Sequence, residues 1–435
     1  MRLAQLYVAF NQSLQWNAAF YFLYKILFTS VSFMLFYRLP TADFCIWANI
    51  NSFIFLLLLW LDCGLRKSIP RYCPEFEHND YALAPFLSYI LTVQTVILIA
   101  AIPIFLLITN LFFHSVSLSC SSILLFCGAA LFLMEGINSS IKLFYHAHFW
   151  NKMYTIIQSI VLFFEMGISI ICILTIKINS QLLLVLFVTK LLSSSTTACT
   201  SFIILRHRYN QQIKTEKKGK LHMKVKAFIC HSGVMWFSTI IKSLTERNFL
   251  VPFITHVISP AAANLFKIAN DSAMLIHRPI IKTIGSSDTV LLAHLEANHH
   301  SISIQIIRYL LKGIMIICLP FCAFLPVILL YITPPAMCFF LIISLGHIIE
   351  TILSPFERVL EVKRTYKKLI FSYIPYLTIL IGVAYYFSLP SANLVTALIY
   401  IYIARITGSL LMVYFVYTAY YPSMYIKPAV ANQRS

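Results

Sequence analysis

The sharpest change in composition along the chain is the stretch RHRYNQQIKTEKKGKLHMKVK at residues 206–226, which carries eight Lys or Arg in 21 residues. On both sides of it lie apolar runs long enough to cross a membrane as helices, which need about 20 residues each. The stretch predicts two halves joined by a basic linker. We expect a six-helix bundle over residues 1–205, a cytoplasmic linker over 206–227, and a second six-helix bundle with a short tail over 228–435.

The composition places the chain in a membrane. Of its 435 residues, 60% are hydrophobic and 11% are charged, and the mean hydropathy is +0.81. Soluble domains average about 25% charged residues. An outer-membrane barrel is excluded, because its strands are about 10 residues long and alternate in polarity. The sequence predicts an all-α polytopic protein of the inner (plasma) membrane with about 12 transmembrane helices.

Twelve apolar segments carry this prediction. The first segment has no cleavage site of the signal-peptide kind, so we expect it to stay in the protein. The seventh and eighth segments carry several charges. The predicted spans are residues 18–37, 44–61, 83–109, 119–141, 153–176, 181–205, 228–249, 261–277, 302–330, 336–354, 370–388 and 392–418.

Lys and Arg are distributed unevenly between the predicted loops. With a cytoplasmic N-terminus, 25 of the 33 Lys and Arg residues fall in cytoplasmic loops and tails, and two fall in outside loops. Because cytoplasmic loops collect basic residues, both termini are predicted to be cytoplasmic. The net charge of +18 is then an orientation signal and not a sign of nucleic-acid binding. The basic linker is expected to contact anionic membrane lipids.

Several activities are disfavoured by the sequence. It contains no GxxxxGK[ST] loop for ATP. No CxxC pair occurs among its 11 Cys, and neither a metal site nor a cofactor is expected. His146 and His148 are predicted to be solvated loop residues. Because the loops are short, a membrane enzyme with an aqueous domain is disfavoured, and the function is expected within the helix bundle.

Ionisable residues inside the predicted spans are the candidates for function, because each costs about 2.5–3.5 kcal/mol to insert. Glu135 and Glu350 lie near the cytoplasmic ends of their spans and are expected to reach water. Among the others, six cations outnumber three acids, which favours an anionic cargo such as a phosphate or pyrophosphate group. The cations are Lys25, Lys190, Lys242, Arg247, Lys267 and Arg405, and the acids are Glu165, Glu246 and Asp271.

Two pairs among these residues also have a structural interpretation. Lys242 and Glu246 are four residues apart on one helix face, as are Lys267 and Asp271. Either pair could neutralise itself and so lower the insertion cost. Lys25 has no acid three or four positions away, and it is expected to face another helix, a cavity or the cytoplasmic surface.

Two other charged residues leave alternatives open. Arg405 lies midway in the last predicted span and is expected to meet either the cargo or an acid of another helix. Glu165, in the middle of the fifth predicted span, is a candidate for the protonatable coupling group. It is equally well placed to be a structural partner for Lys190 in the next helix.

A further pattern covers residues 38–76. It consists of RLPTADF at 38–44, a span ending in LDCGLR at 61–66, SIPRY at 68–72, and Pro-Glu at 74–75. The pattern resembles the start of polysaccharide flippases, the lipid-linked oligosaccharide branch of the multidrug/oligosaccharidyl-lipid/polysaccharide (MOP) superfamily, which also holds multidrug-and-toxin extruders. In that family an Asp-Phe-Gly corner follows the first helix, and Asp-x-Gly-Leu ends the second. Cys45 departs from the pattern, because it stands where the Gly is usual.

The resemblance implies a flippase without ATPase machinery for cell-surface polysaccharide synthesis. Such a protein moves a polyprenyl-pyrophosphate-linked oligosaccharide across the inner membrane by alternating access of two bundles. It implies a monomeric transport unit that works beside polysaccharide polymerase or glycosyltransferase enzymes. On that analogy the cargo-binding residues are Lys25, Lys242, Arg247, Lys267 and Arg405, and the ion-coupling acids are Glu165, Glu246 and Asp271.

Two alternatives to the flippase stay open. The first is an exporter of small cationic drugs with the same fold, which would want several unpaired acids within the membrane. The second is a membrane-embedded glycosyl- or acyltransferase, which the sequence supports less, because no acid/base pair is clustered in it.

Overall fold

The structure is a computed structural model that describes residues 3–78, 83–213, 222–297, 334–387 and 393–425. Within these ranges every regular element is an α-helix, and there are fourteen of them. The helices are α1 (Leu3–Arg38), α2 (Thr41–Trp60), α3 (Leu65–His78), α4 (Leu83–Ser115), α5 (Ser122–Ala147), α6 (Asn151–Thr175), α7 (Asn179–Ile213), α8 (His222–Ser243), α9 (Arg247–Val257), α10 (Pro260–Ala297), α11 (Pro334–Val362), α12 (Tyr366–Ser372), α13 (Ile374–Tyr386) and α14 (Leu394–Tyr425).

Most of the predicted spans coincide with long apolar helices. In the described part of the chain, eight helices are long and apolar enough to cross a membrane, namely α1, α2, α4, α5, α6, α7, α11 and α14. The pair α8 and α9, bent by 42° at their break, adds a ninth crossing if it is counted as one span. The predicted eighth and eleventh spans fall in α10 and in α12–α13. The predicted span 302–330 lies outside the described residues. The chain is a multi-pass helical membrane protein.

The seventh predicted span, 228–249, has wrong boundaries because its helix is interrupted. Helix α8 ends at Ser243 and α9 begins at Arg247, with Glu246 in an extended conformation at the N-cap of α9. The Thr245 hydroxyl donates to a carbonyl in the last turn of α8, at 2.8 Å. It thereby satisfies one of the carbonyls that a helix end leaves free. After the break, α9 packs against α2 in the other half of the chain.

Helices extend into the predicted linker from both sides. Helix α7 continues to Ile213 and α8 begins at His222, so the described ends of the linker are helical. Lys, Arg and Gln are good helix formers, which explains why the helices do not stop where the apolar run stops. Residues 214–221 lie outside the described part of the chain.

Helix α3 is amphipathic and lies across the end of the N-terminal half. Its apolar residues Leu65, Ile69, Tyr72 and Phe76 recur every three or four positions, which puts them on one helix face. That face packs into a cluster with side chains of α4, α5 and α7, and with Phe228 of α8. Of the basic residues on the other faces, Lys67 and Arg71 contact α11 of the C-terminal half, and Arg66 contacts Ser139 of α5.

The two halves of the chain touch each other at both ends of α2. Where α2 begins, the Asn264 side chain of α10 donates to the carbonyl of Thr41, at 2.9 Å. Beyond its other end, Arg71 of α3 donates to the carbonyl of Val362 at the end of α11, at 3.1 Å. Because a helix of this length spans about 30 Å, these contacts are about one membrane thickness apart. The space between the halves is thus bounded on two sides.

Candidate functional site

A cavity of about 330 Å³ lies among α1, α2, α3, α5, α6 and α7, with α10 and α11 of the other half at its edge. Its charged lining is dominated by cations. Five basic residues face two acids, and we call it the cationic cavity. Its charged lining residues are Arg66, Lys67, Lys142, Lys190, Arg358, Glu135 and Glu165.

Lys142 is held in the cationic cavity by aromatic rings. Its Nζ lies 4.8 Å from the ring centre of Tyr21, 5.3 Å from Tyr154 and 5.9 Å from Phe20. Among the described residues no carboxylate oxygen lies within 4.0 Å of this Nζ. Cation–π contacts hold an ammonium group in place but do not neutralise it. The three rings therefore hold the Lys142 ammonium group at the cavity wall.

Lys190 and Glu165 face the same cavity from adjacent helices. The Lys190 Nζ donates to the Asn51 Oδ1 at 2.9 Å and lies 4.9 Å from the centre of the Phe55 ring. The Glu165 carboxylate accepts a hydrogen bond from the Ser193 hydroxyl. Lys190 and Glu165 also attract each other electrostatically. The structure therefore places Glu165 both in the cavity wall and beside Lys190.

Three predicted cargo residues lie together where the two halves meet. The Asp271 carboxylate pairs with Lys267, at 2.6 Å, and with Arg247. Lys25 of α1 attracts Asp271 electrostatically, and Lys25 and Asp271 are both fully buried. The predicted pair between Lys267 and Asp271 is thus confirmed as a contact. We call Lys25, Arg247, Lys267 and Asp271 the interface cluster, and it contains three cations and one acid.

The interface cluster adjoins the cationic cavity. The Lys267 Nζ lies 4.2 Å from the centre of the Trp47 ring of α2. Phe55, two turns further along α2, lines the cationic cavity. Helix α2 therefore contacts both the interface cluster and the cationic cavity.

The other two predicted cargo residues, Lys242 and Arg405, belong to a different group. The Lys242 Nζ lies 3.2 Å from Glu350 and 3.0 Å from Glu357, and Arg405 pairs with Glu350. The suggested pairing of Lys242 with Glu246 is wrong, because the helix breaks between these residues. The expectation that Glu350 reaches water is also wrong, since Glu350 is buried. Arg405 was expected to meet either the cargo or an acid of another helix. In the structure it meets such an acid, Glu350.

The same group continues to α3 as a chain of ion pairs. Lys67 contacts Glu361 and lies 3.2 Å from Glu357. Arg358 lies 3.1 Å from Glu361 and 4.0 Å from Asp288. Among these described residues four cations meet four acids, so we call the group the balanced network. It consists of Lys67, Lys242, Arg358, Arg405, Asp288, Glu350, Glu357 and Glu361.

Two residues of α5 that line the cavity are not among the predicted site residues. His146 was predicted to be solvated, but it is buried and lines the cavity. Lys142 was counted as a loop residue that sets orientation. Both residues reach the cavity because α5 extends to Ala147, beyond the predicted span end at 141. The spacing of Glu135, Asn138, Lys142 and His146 along one helix face is the signal that would have revealed them.

No protein-family model matches the chain, and no curated protein matches it in sequence. Solved structures do match its fold. A MOP superfamily transporter from Pyrococcus furiosus, for which reversed polarity of the binding pocket suggests a different function, is 14% identical, with a TM-score of 0.64 and coverage of 95% of each chain. An outward-facing multidrug-resistance MATE family transporter of the MOP superfamily is 14% identical, with a TM-score of 0.66 and coverage of 97% of this chain and 96% of its own.

A eukaryotic MATE transporter is 11% identical, with a TM-score of 0.64 and coverage of 94% of this chain and 96% of its own. At these identities the likeness shows the fold alone. The chain has the fold of MOP superfamily transporters, with about 12 transmembrane helices in two six-helix bundles.

Proposed function

We propose that this protein is a flippase that moves a polyprenyl-pyrophosphate-linked oligosaccharide across the inner membrane by alternating access. The observation that carries the proposal is the excess of cations in the cationic cavity and the interface cluster. Leaving out the residues of the balanced network, six basic residues of the described chain face three acids there: Lys25, Arg66, Lys142, Lys190, Arg247 and Lys267 against Glu135, Glu165 and Asp271.

An excess of positive charge favours an anionic cargo and disfavours a cationic one. Charges in a cavity with low-dielectric walls interact more strongly than charges in water. A pyrophosphate group would compensate the excess, whereas a cationic drug would add to it. The polarity of the pocket is a reasonable guide to the cargo within this fold. For the Pyrococcus furiosus transporter, a pocket of reversed polarity suggests a different function.

The size of the cavity suits the charged part of the cargo. Ligand pockets commonly measure about 300–1,000 Å³, and the cationic cavity, at about 330 Å³, is at the lower end of this range. It has room for a pyrophosphate and the sugar next to it, but a longer chain needs the halves to separate. The halves touch at both ends of α2, and alternating access would open these contacts at one end at a time.

The two groups of charged residues receive different roles in this proposal. Lys25, Arg247 and Lys267 are assigned to the pyrophosphate together with Lys142, because Asp271 is the one acid of the interface cluster and is shared between its cations. Lys242 and Arg405 are assigned to holding helices together, since the balanced network around them has one acid for each cation. Glu165 is the coupling acid, because it alone of the three predicted coupling acids lines the cavity. Asp271 instead orients Arg247 and Lys267, and Glu246 stands at the N-cap position of α9.

The proposal is tested with the full-length protein in vesicles that contain a fluorescent polyprenyl-pyrophosphate-linked monosaccharide. The readout is the fraction of probe that becomes accessible to an impermeant quencher. We expect flipping to require the protein and to fall about tenfold or more in Lys142→Gln and in Lys25→Gln, since a hydrogen bond to a charged group contributes about 1.5–3 kcal/mol. The matched control is Lys177→Gln, which removes an exposed cation between α6 and α7 and should flip probe normally.

The same vesicles distinguish the flippase from a drug exporter. Ethidium, a lipophilic cation, is loaded in place of the probe, and its release is followed by fluorescence. Ethidium export without flipping of the probe would overturn the proposal. Normal flipping in Lys25→Gln and Lys142→Gln would keep the flippase and remove these residues from cargo binding.

A further inference from the structure

A second cavity of about 700 Å³ forms a groove between α4, α5 and α7. Its walls are mostly apolar, and several of the side chains in them are exposed, among them Val96 and Phe202. The apolar wall residues are Leu87, Leu91, Val96, Met134, Ile137, Ile141, Ala198 and Phe202. Since α4, α5 and α7 are long apolar helices of a membrane protein, the groove opens to lipid.

The groove is separate from the cationic cavity. The helices α5 and α7 pack against each other, and each shows one face to the groove and another to the cavity. On α5, Ile137 and Ile141 face the groove, whereas Asn138 and Lys142 face the cavity. A molecule in the groove is thus screened from the cargo residues by a packed helix pair.

The length of the groove matches one leaflet of a bilayer. Along α7 its lining runs from Ala198 to Tyr209. At a rise of 1.5 Å per residue this is about 16 Å. Half of a hydrocarbon core of about 30 Å is about 15 Å. The groove therefore has the length of an acyl chain within one leaflet.

One end of the groove is polar and basic, as the headgroup end of a lipid site should be. Arg206 is exposed there, and no carboxylate among the described residues lies within 4.0 Å of its guanidinium. Tyr209 lies one turn further along α7, and its hydroxyl lies 2.6 Å from the His148 Nε2. Tyr is enriched at the level of lipid headgroups, and Arg and Lys collect on the cytoplasmic side of the membrane. Arg206 also begins the basic stretch that attracts anionic lipids.

We propose that this groove binds an anionic phospholipid, with an acyl chain along the apolar walls and the phosphate on Arg206. The apolar walls and the length fit this occupant, and so does Arg206 at one end, which no carboxylate of the described residues neutralises. The polyprenyl chain of a cargo is a poorer fit, because the packed pair α5–α7 separates the groove from the cationic cavity. The inference does not depend on the proposed function.

Cys199 provides a direct probe, because its exposed thiol lines the groove. The purified full-length protein in detergent is treated with a maleimide, and labelling of each cysteine is followed by peptide mass spectrometry. Phosphatidylglycerol is compared with phosphatidylcholine of the same acyl chains. We expect phosphatidylglycerol to protect Cys199 at about fivefold lower concentration, the ratio expected for one basic residue near an anionic headgroup. Cys230 of α8 is exposed and outside the groove, so its labelling should not change.

Two Arg variants on α7 make the test specific. Arg206→Gln should abolish the preference for phosphatidylglycerol. Arg208→Gln should keep it, because the Arg208 guanidinium lies over the Trp150 ring, at 4.9 Å, and not in the groove. Equal protection by both lipids, loss of the preference in Arg208→Gln alone, or protection by polyprenyl phosphate without protection by phosphatidylglycerol would each overturn the proposal.

Discussion

The turn between α2 and α3 allows a quantitative prediction, because Gly64 in it lies directly against another helix. Gly64 has a φ of +77°, a conformation that side chains disfavour. A Cβ on Gly64 would overlap the carbonyl oxygen of Ser232 and lie 2.9 Å from the backbone nitrogen of Trp236, both in α8. Since these are backbone atoms, the turn and α8 would have to move apart.

Gly64→Ala should therefore be strongly destabilising. The left-handed conformation costs about 1–2 kcal/mol for a residue with a Cβ, and overpacking costs about 1–3 kcal/mol. Together the free energy of unfolding should fall by about 2–5 kcal/mol. The measurement is the stability of the purified variant in detergent, from thermal unfolding and from denaturation with increasing SDS.

The matched control for Gly64→Ala is Gly233→Ala in α8, beside the contact. A Cβ at Gly233 would have no atom within 4 Å, and Ala in a helix is more stable than Gly by about 0.5–1 kcal/mol. This control should be neutral or slightly stabilised. Equal unfolding midpoints for the two variants would refute the reasoning, because they would mean that the close approach of the turn to α8 does not contribute to stability.

Three further predictions concern the balanced network. Arg405→Gln should destabilise the protein by about 3–5 kcal/mol, the usual effect of breaking a buried ion pair, as measured by thermal unfolding. Lys67→Glu should weaken the contact between α3 and α11, and the additional change Glu361→Lys should restore stability. Burial raises the pKa of the Asp288 carboxyl, at the end of α10, to about 6, against about 3.9 when unfolded. Asp288 binds its proton more tightly in the folded state, so the free energy of unfolding should fall as pH rises from about 4 to about 6, and Asp288→Asn should lessen this fall.

These predictions fail in distinct ways. An unchanged midpoint for Arg405→Gln would mean that Glu350 is not held by Arg405. A double variant no more stable than Lys67→Glu would show that the charges of Lys67 and Glu361 do not meet. Identical pH profiles for wild type and Asp288→Asn would contradict the raised pKa of the carboxyl.

The existence of a helix was predictable from sequence wherever an apolar run is long enough to cross the membrane. An apolar run of about 20 residues has few alternatives to a helix, because lipid offers no hydrogen-bond partners. The ends of the helices were less predictable, since polar residues continue a helix beyond the apolar region. Helix α5 extends six residues past its predicted span end at 141, and α1 begins at Leu3 rather than at 18. The extension of α5 carries Lys142 and His146 into the cavity wall.

The sequence identifies the charged residues that are buried, but it does not identify the residues that they contact. Sequence identifies Lys25, Lys267 and Arg405 as costly to bury, and all three are buried. It cannot say which acid each one meets when the acid comes from another helix. Arg405 pairs with Glu350, 55 residues away, whereas the local pair between Lys267 and Asp271 was visible from its spacing. Contacts within one helix can be read from the spacing of residues, whereas most contacts between helices cannot.

The contrast between the balanced network and the interface cluster bears on how cargo binding could be coupled to movement. When α3 separates from α11, Lys67 leaves Glu357 and Glu361, but Lys242 and Arg358 stay on these carboxylates. Opening at this end then leaves neither carboxylate buried without a cation, which would cost several kcal/mol. In the interface cluster, cations from both halves are brought together around a single acid, so the contact between the halves is opposed by their repulsion. An anion bound there would relieve this repulsion and favour the closed arrangement over the open one, as a ligand does when it binds one state better than another.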